Sequence, residues 1–188
     1  RTAAGAPGPA YYQQQADYKM NIELDDRNKR IYGSETITYT NNSPDHLEYL
    51  WVQLDQNIRK KDSPSLMINE FSTRPAYRPS GFVKDFLDKP FDGGFNIEYV
   101  RDQDGKPLSH IINQTMMRID LPNVLKSGEK VSFSIKWWYN IQDHVNQDGR
   151  SGYETFKSDG NRSYIIAQFF PRMAVYNEVE GWQNYQFW

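Results

Sequence analysis

The sequence predicts an all-β protein, and three observations lead there. Short runs of alternating apolar and polar residues recur along the chain. Clusters of Asn, Asp, Gly, Ser and Pro separate those runs, as turns separate strands. No apolar stripe of helical period is sustained long enough for an amphipathic helix, and there is no internal repeat or low-complexity tract.

The elements follow in order. Arg1–Ala10 is a Gly/Pro/Ala leader, expected to be loose. In Asp17–Leu24, Tyr18, Met20, Ile22 and Leu24 share one face and Asp17, Lys19, Asn21 and Glu23 the other, which predicts a half-buried strand. DDRNK (Asp25–Lys29) supplies a turn, and IYGSETITYT (Ile31–Thr40) returns as a strand rich in β-branched and aromatic residues. NNSPD (Asn41–Asp45) ends it, because Pro44 fixes its own φ and restricts the residue before it. LEYLWVQLDQNI (Leu47–Ile58) reads as a strand buried on both faces, with a helix as the alternative.

From Arg59 to Gly94 periodicity fades, and long surface connections with one short strand or helical turn are expected. So long a loop in a compact domain often has a binding role. Phe95, Ile97 and Tyr99 alternate again, and RDQDGK (Arg101–Lys106) carries an Asp-Gly hairpin turn. Met117, Ile119 and Leu121 mark a further strand. Val131, Phe133, Ile135, Trp137 and Tyr139 form the strongest alternation in the chain, which should turn one ring of the Trp137-Trp138 pair into the core. Asp143–Gly160 is a second polar loop, and Ser163–Phe170 is a short apolar strand.

Composition narrows the function. The chain has 188 residues, 38% of them hydrophobic and 15% aromatic, enough for a substantial core. A formal net charge of -2 supplies no basic field for nucleic acid or an acidic membrane surface. No apolar stretch approaches the roughly 20 residues that span a bilayer. With no cysteine there is neither a disulfide nor a thiolate nucleophile. RTAAGAPGPAYY lacks the blocks of a signal peptide, although one could have preceded it.

Catalytic motifs are missing. His46, His110 and His144 are the only histidines, and no two have metal-ligand spacing; they read as surface or hydrogen-bonding residues. There is no GxSxG and no glycine-rich phosphate loop. DQDG and NQDG lack the glutamate and flanking helices of an EF-hand and read as turns. Asn-x-Ser/Thr triplets at Asn41, Asn113 and Asn161 matter only in a eukaryotic secretory setting.

The closing segment QFFPRMAVYNEVEGWQNYQFW (Gln168–Trp188) is dense in aromatics where chain ends more often become small and polar, so further chain is expected beyond it. Gln168 precedes two phenylalanines and Pro171. Its amide both donates and accepts, which suits a peptide backbone or an amino group, or simply ties down the adjoining turn. Glu178 and Glu180 would share a face on a strand as a carboxylate pair; their glycine and aromatic neighbours favour a shaped loop. Aromatic richness also allows a non-catalytic β-sandwich module that binds peptide or carbohydrate.

Three stretches carry a resemblance: ADYKMNIELDDRNKRIYGSETITYTNNSPDHLEYLWVQLDQN, GYETF (Gly152–Phe156) and IAQFFPRMAVYNEVEGWQ (Ile166–Gln183). Together they resemble the N-terminal domain of the M1-family zinc metallopeptidases, the gluzincin aminopeptidases, of bacterial secreted or periplasmic type. The resemblance implies a saddle-like or sandwich-like antiparallel β domain with long loops, spanning 11–188, over a catalytic domain that would follow Trp188. It implies that Gln168 helps form the pocket for the substrate's N-terminal residue, with Phe169 and Phe170 shaping the wall. Pro171, Glu178 and Glu180 would support that pocket or the domain interface. The family's HExxH helix, third zinc ligand and GxMEN motif are absent from this sequence. By the resemblance, zinc, its two histidines and glutamate, and the glutamate acting on metal-bound water belong to the missing domain. The partners implied are that domain and a peptide substrate. This chain alone should hold no cofactor and hydrolyse nothing. A parent that has lost its zinc site and only binds is the further alternative.

Overall fold

The computed structural model describes residues 3–8, 11–65, 91–144 and 151–187. It is all-β and multi-sheet. The first sheet has four antiparallel strands: β1 (Gln15–Asp25), β2 (Arg30–Thr40), β4 (Asn96–Asp102) and β7 (Lys130–Asn140), in the order β1-β2-β7-β4. The second joins β3 (Leu47–Gln53), β5 (His110–Asn113), β6 (Met116–Leu125) and β10 (Arg172–Met173), in the order β10-β3-β6-β5. Two hairpins complete it: β8 (Gly152–Thr155) with β9 (Arg162–Ile165), and β11 (Tyr176–Asn177) with β12 (Gly181–Trp182).

One core serves both four-stranded sheets. Ile37, Phe133, Ile135 and Trp137 of the first cluster with Leu50, Val52, Met117 and Ile119 of the second, all fully buried. The alternation of β7 resolves as expected: Trp137 is buried and Trp138 only half-buried. Trp137 is paired with Gly33 of β2, and its indole occupies the space a Cβ there would need. Stacked on Tyr139 at 5.9 Å and edge-on to Phe95 at 5.3 Å, it anchors this end of the core. Asp102 organises the expected hairpin turn after β4: its carboxylate accepts from the Asp104 and Lys106 amides, and Gly105 has φ 81°.

The structure corrects the expectations for four stretches. In β1, Tyr18 and Met20 are half-buried but Ile22 and Leu24 are 42% and 43% exposed, since this edge strand runs past the core. The run Leu47–Ile58 is not one strand. β3 stops at Gln53, and Asp55–Arg59 forms a 3-10 turn (η1), in which the Asn57 amide donates to the Leu54 carbonyl and the Lys60 amide to the Asn57 carbonyl in place of a ladder. Nor is β3 buried on both faces: Tyr49 and Trp51 are half-buried, with Arg118 stacked over Tyr49 at 4.1 Å. The polar loop Asp143–Gly160 contains β8, which pairs with β9 around a turn at Gly160 (φ 76°). Finally, the strand expected over Ser163–Phe170 ends at Ile165. The long connection expected from Arg59 to Gly94 falls largely on 66–90, outside the described residues, as does NQDG in 145–150 and part of the leader.

Candidate functional site

η1 is where the candidate site begins. Asp55, Gln56 and Asn57 are each no more than 2% exposed, and apart from Asp55 Oδ1 their side-chain polar atoms find partners inside the protein. Gln56 Nε2 donates to the carbonyls of Ala167 (2.8 Å) and Gln168 (3.3 Å), and its Oε1 accepts from Arg59 Nη1. Arg59 Nε in turn donates to Gln142 Oε1, and Gln142 Nε2 to the Ser151 carbonyl at 2.6 Å. Ser151 Oγ accepts from the Ala167 amide at 3.0 Å. Asn57 reaches the other way, donating to the Gln114 carbonyl and accepting from the Phe95 amide.

A second clamp closes the far side of the segment. Arg172 donates to Asp55 Oδ2 through Nε and Nη2, both at 3.0 Å. Asp55 is buried while the guanidinium is substantially exposed, so loss of Arg172 would strand a charge in the interior. β10 then pairs with β3 through Arg172↔Gln53 and Met173↔Val52. The Met173 amide also donates to the Tyr18 hydroxyl.

Between these clamps lies Gln168, with φ 51°. A non-glycine residue in the left-handed region is held there by its surroundings, and such positions concentrate at functional sites. β9 has already ended before Gln168, at Ile165, the last residue paired with β8. The tie to the turn is made by the main-chain carbonyl of Gln168 with Gln56 as donor. The Gln168 side-chain amide makes no hydrogen bond among the described residues. Phe169 and Phe170 pack edge-to-face at 5.0 Å, and Phe170 meets Tyr18 at 5.5 Å. Both rings rest partly buried against the core, and Pro171 is buried behind them.

Glu178 and Glu180 lie in the turn of the β11–β12 hairpin, both exposed. Asn177 Oδ1 shapes the turn by accepting from the Val179 and Glu180 amides. Tyr185 donates to Glu180 Oε2 at 3.4 Å. Each carboxylate thus projects from a shaped turn, and no strand aligns the two.

The sequence reading did not identify Gln56, Arg59, Gln142 and Ser151 as support for Gln168. The available signal was the polar run DQN interrupting the apolar alternation after Leu54. Among the described residues, no group of three His, Cys, Asp or Glu side chains is placed to hold a metal ion. His46 and His144 are exposed, and His110 Nδ1 lies 3.0 Å from the Leu108 carbonyl. These residues therefore do not fit a zinc centre. No described helix is long and apolar enough to cross a membrane.

No protein-family model matches the chain, and neither does any curated protein. Among solved structures, an M1 zinc metallopeptidase from Deinococcus radiodurans shows a weak likeness, with a TM-score of 0.43 at 10% identity. The likeness covers 77% of this chain and 25% of that one.

Proposed function

We propose that this chain is the N-terminal β domain of a zinc-dependent aminopeptidase, spanning 11–188 and exported to the periplasm or secreted. In this reading it packs against a catalytic domain of the same polypeptide and supplies one edge of the pocket for the substrate's first residue. The observation that carries the reading is Gln168. Its backbone lies in the left-handed region with contacts on both sides, and its side-chain amide, which bonds to no described residue, is the group that would meet the substrate. A substrate's α-amino group would donate to its carbonyl, and a peptide carbonyl would accept from its NH2. Phe169 and Phe170 would limit the space around the first side chain, with Pro171 behind them. Glu178 and Glu180 would brace the hairpin turn against the neighbouring domain.

Zinc and the nucleophilic water belong, in this reading, to the other domain; here the chain's own work is to bind and orient. Support comes from the three resembling stretches together with the geometry of Gln168. The test is the intact mass and activity of the natural protein from its source. A mass far above 22.1 kDa, with release of free N-terminal residues from unblocked peptides, is expected. A natural protein of about this mass, or one inert towards such peptides, would contradict the proposal.

A further inference from the structure

A second concave feature adjoins the Gln168–Pro171 segment through Tyr18, which packs against Phe170, but none of those four residues lines it. It is a cleft of about 410 Å³ between the segment entering β1 and the stretch from Met173 to Glu178. That volume lies within the roughly 300–1,000 Å³ usual for small-molecule sites. Tyrosines dominate its wall: Tyr11, Tyr12, Tyr18, Tyr39 and Tyr176. From its position in the cleft, its polar complement and its charge, we infer that it binds a neutral saccharide, with a pyranose unit against the tyrosine rings.

The polar groups carry the inference. Tyr39 is 1% exposed, and its hydroxyl has no hydrogen-bond partner among the described residues. The Tyr12 hydroxyl is likewise buried and unpartnered. An unsatisfied buried hydroxyl costs about 1–3 kcal/mol, and here two belong to tyrosines that line one cleft. Burial, with the neighbouring phenols of Tyr176, Tyr12 and Tyr18, pushes the Tyr39 hydroxyl well above its ordinary value. It is therefore a neutral group that can both donate and accept. A sugar hydroxyl has the same dual capacity and can pair with it in either sense.

The rest of the wall fits that partner. Tyr11 is 49% exposed, and Gln13 Nε2 donates to its hydroxyl at 2.8 Å, holding the ring in place. Asn177 uses its Oδ1 on the turn amides, so its NH2 remains to donate. Trp182 backs the site, 5.9 Å from Tyr39 and 5.1 Å from Tyr176, which stiffens the aromatic floor. No Lys, Arg or His is among the described lining residues, and Glu178 is the sole carboxylate. A phosphate or carboxylate ligand would meet no counter-charge. Aromatic faces with dual-function hydroxyls and amides suit a ring that is apolar on its face and hydroxylated at its edge.

The experiment is a calorimetric titration of the chain with cellotriose, maltotriose and chitotriose, each to about 20 mM. Tetramethylammonium chloride and a Lys-containing tripeptide serve as rivals for the aromatic wall. Saturable binding of at least one trisaccharide is expected, weakened about tenfold by Tyr39→Phe, which removes one hydroxyl and keeps the ring. Tyr12→Phe should weaken it similarly through a residue outside the core. No saccharide binding, binding only of the ammonium or peptide probe, or saccharide binding unchanged in both variants would each overturn the inference.

Discussion

Glu35 shows how one side chain can set a pH response. It sits on the core face of β2, opposite Met20 and Ile135, 2% exposed and with neither carboxyl oxygen hydrogen-bonded among the described residues. Burial pushes its carboxyl up from 4.5 to about 8. Between those values the unfolded chain releases this proton while the folded chain keeps it, so stability falls as pH rises. The slope is at most about 1.4 kcal/mol per pH unit from this one group. Urea denaturation of the chain should give a lower midpoint at pH 8 than at pH 5. Glu35→Gln, which carries no titrating proton, should lose most of that difference. Equal pH dependence in both proteins would remove Glu35 as its source.

At the scale of elements, η1 supports the site. Gln56→Ala removes both donor bonds to the 167–168 carbonyls and the acceptor for Arg59. A loss of about 1–3 kcal/mol is expected, read as a lower urea midpoint. Gln56→Glu restores the acceptor alone and should recover only part of the loss. Full stability in Gln56→Ala would show that the 167–168 segment is held by other contacts.

The same element marks what the sequence could and could not tell. β2 and β7 were legible because residues on their buried face recur at period two over eleven positions each. η1 was not, since five residues are too few for any period, and its polar side chains are buried by loops distant in sequence. Gln168 was named by resemblance, but the main chain around it is held by Gln56 and Ser151, more than a dozen residues away. The exposed end of β1 could not be foreseen either. Alternation marks an apolar face, but it does not say what covers it.

At the scale of the whole molecule, two sheets around one core hold two surfaces that adjoin at Tyr18 and Phe170, one at Gln168 and one at the tyrosine cleft. The first is the centre of the proposed function. The most direct measurement is kcat/KM of the natural full-length protein on an unblocked dipeptide substrate, compared with Gln168→Ala, with zinc content measured alongside. A hydrogen bond to a charged amino group is worth about 1.5–3 kcal/mol, so a fall of about tenfold to a hundredfold is expected with zinc unchanged. Gln168→Gly, which takes the left-handed backbone without strain, should fall as far. Kinetics unaltered in both variants would contradict the assignment of Gln168 to the substrate pocket.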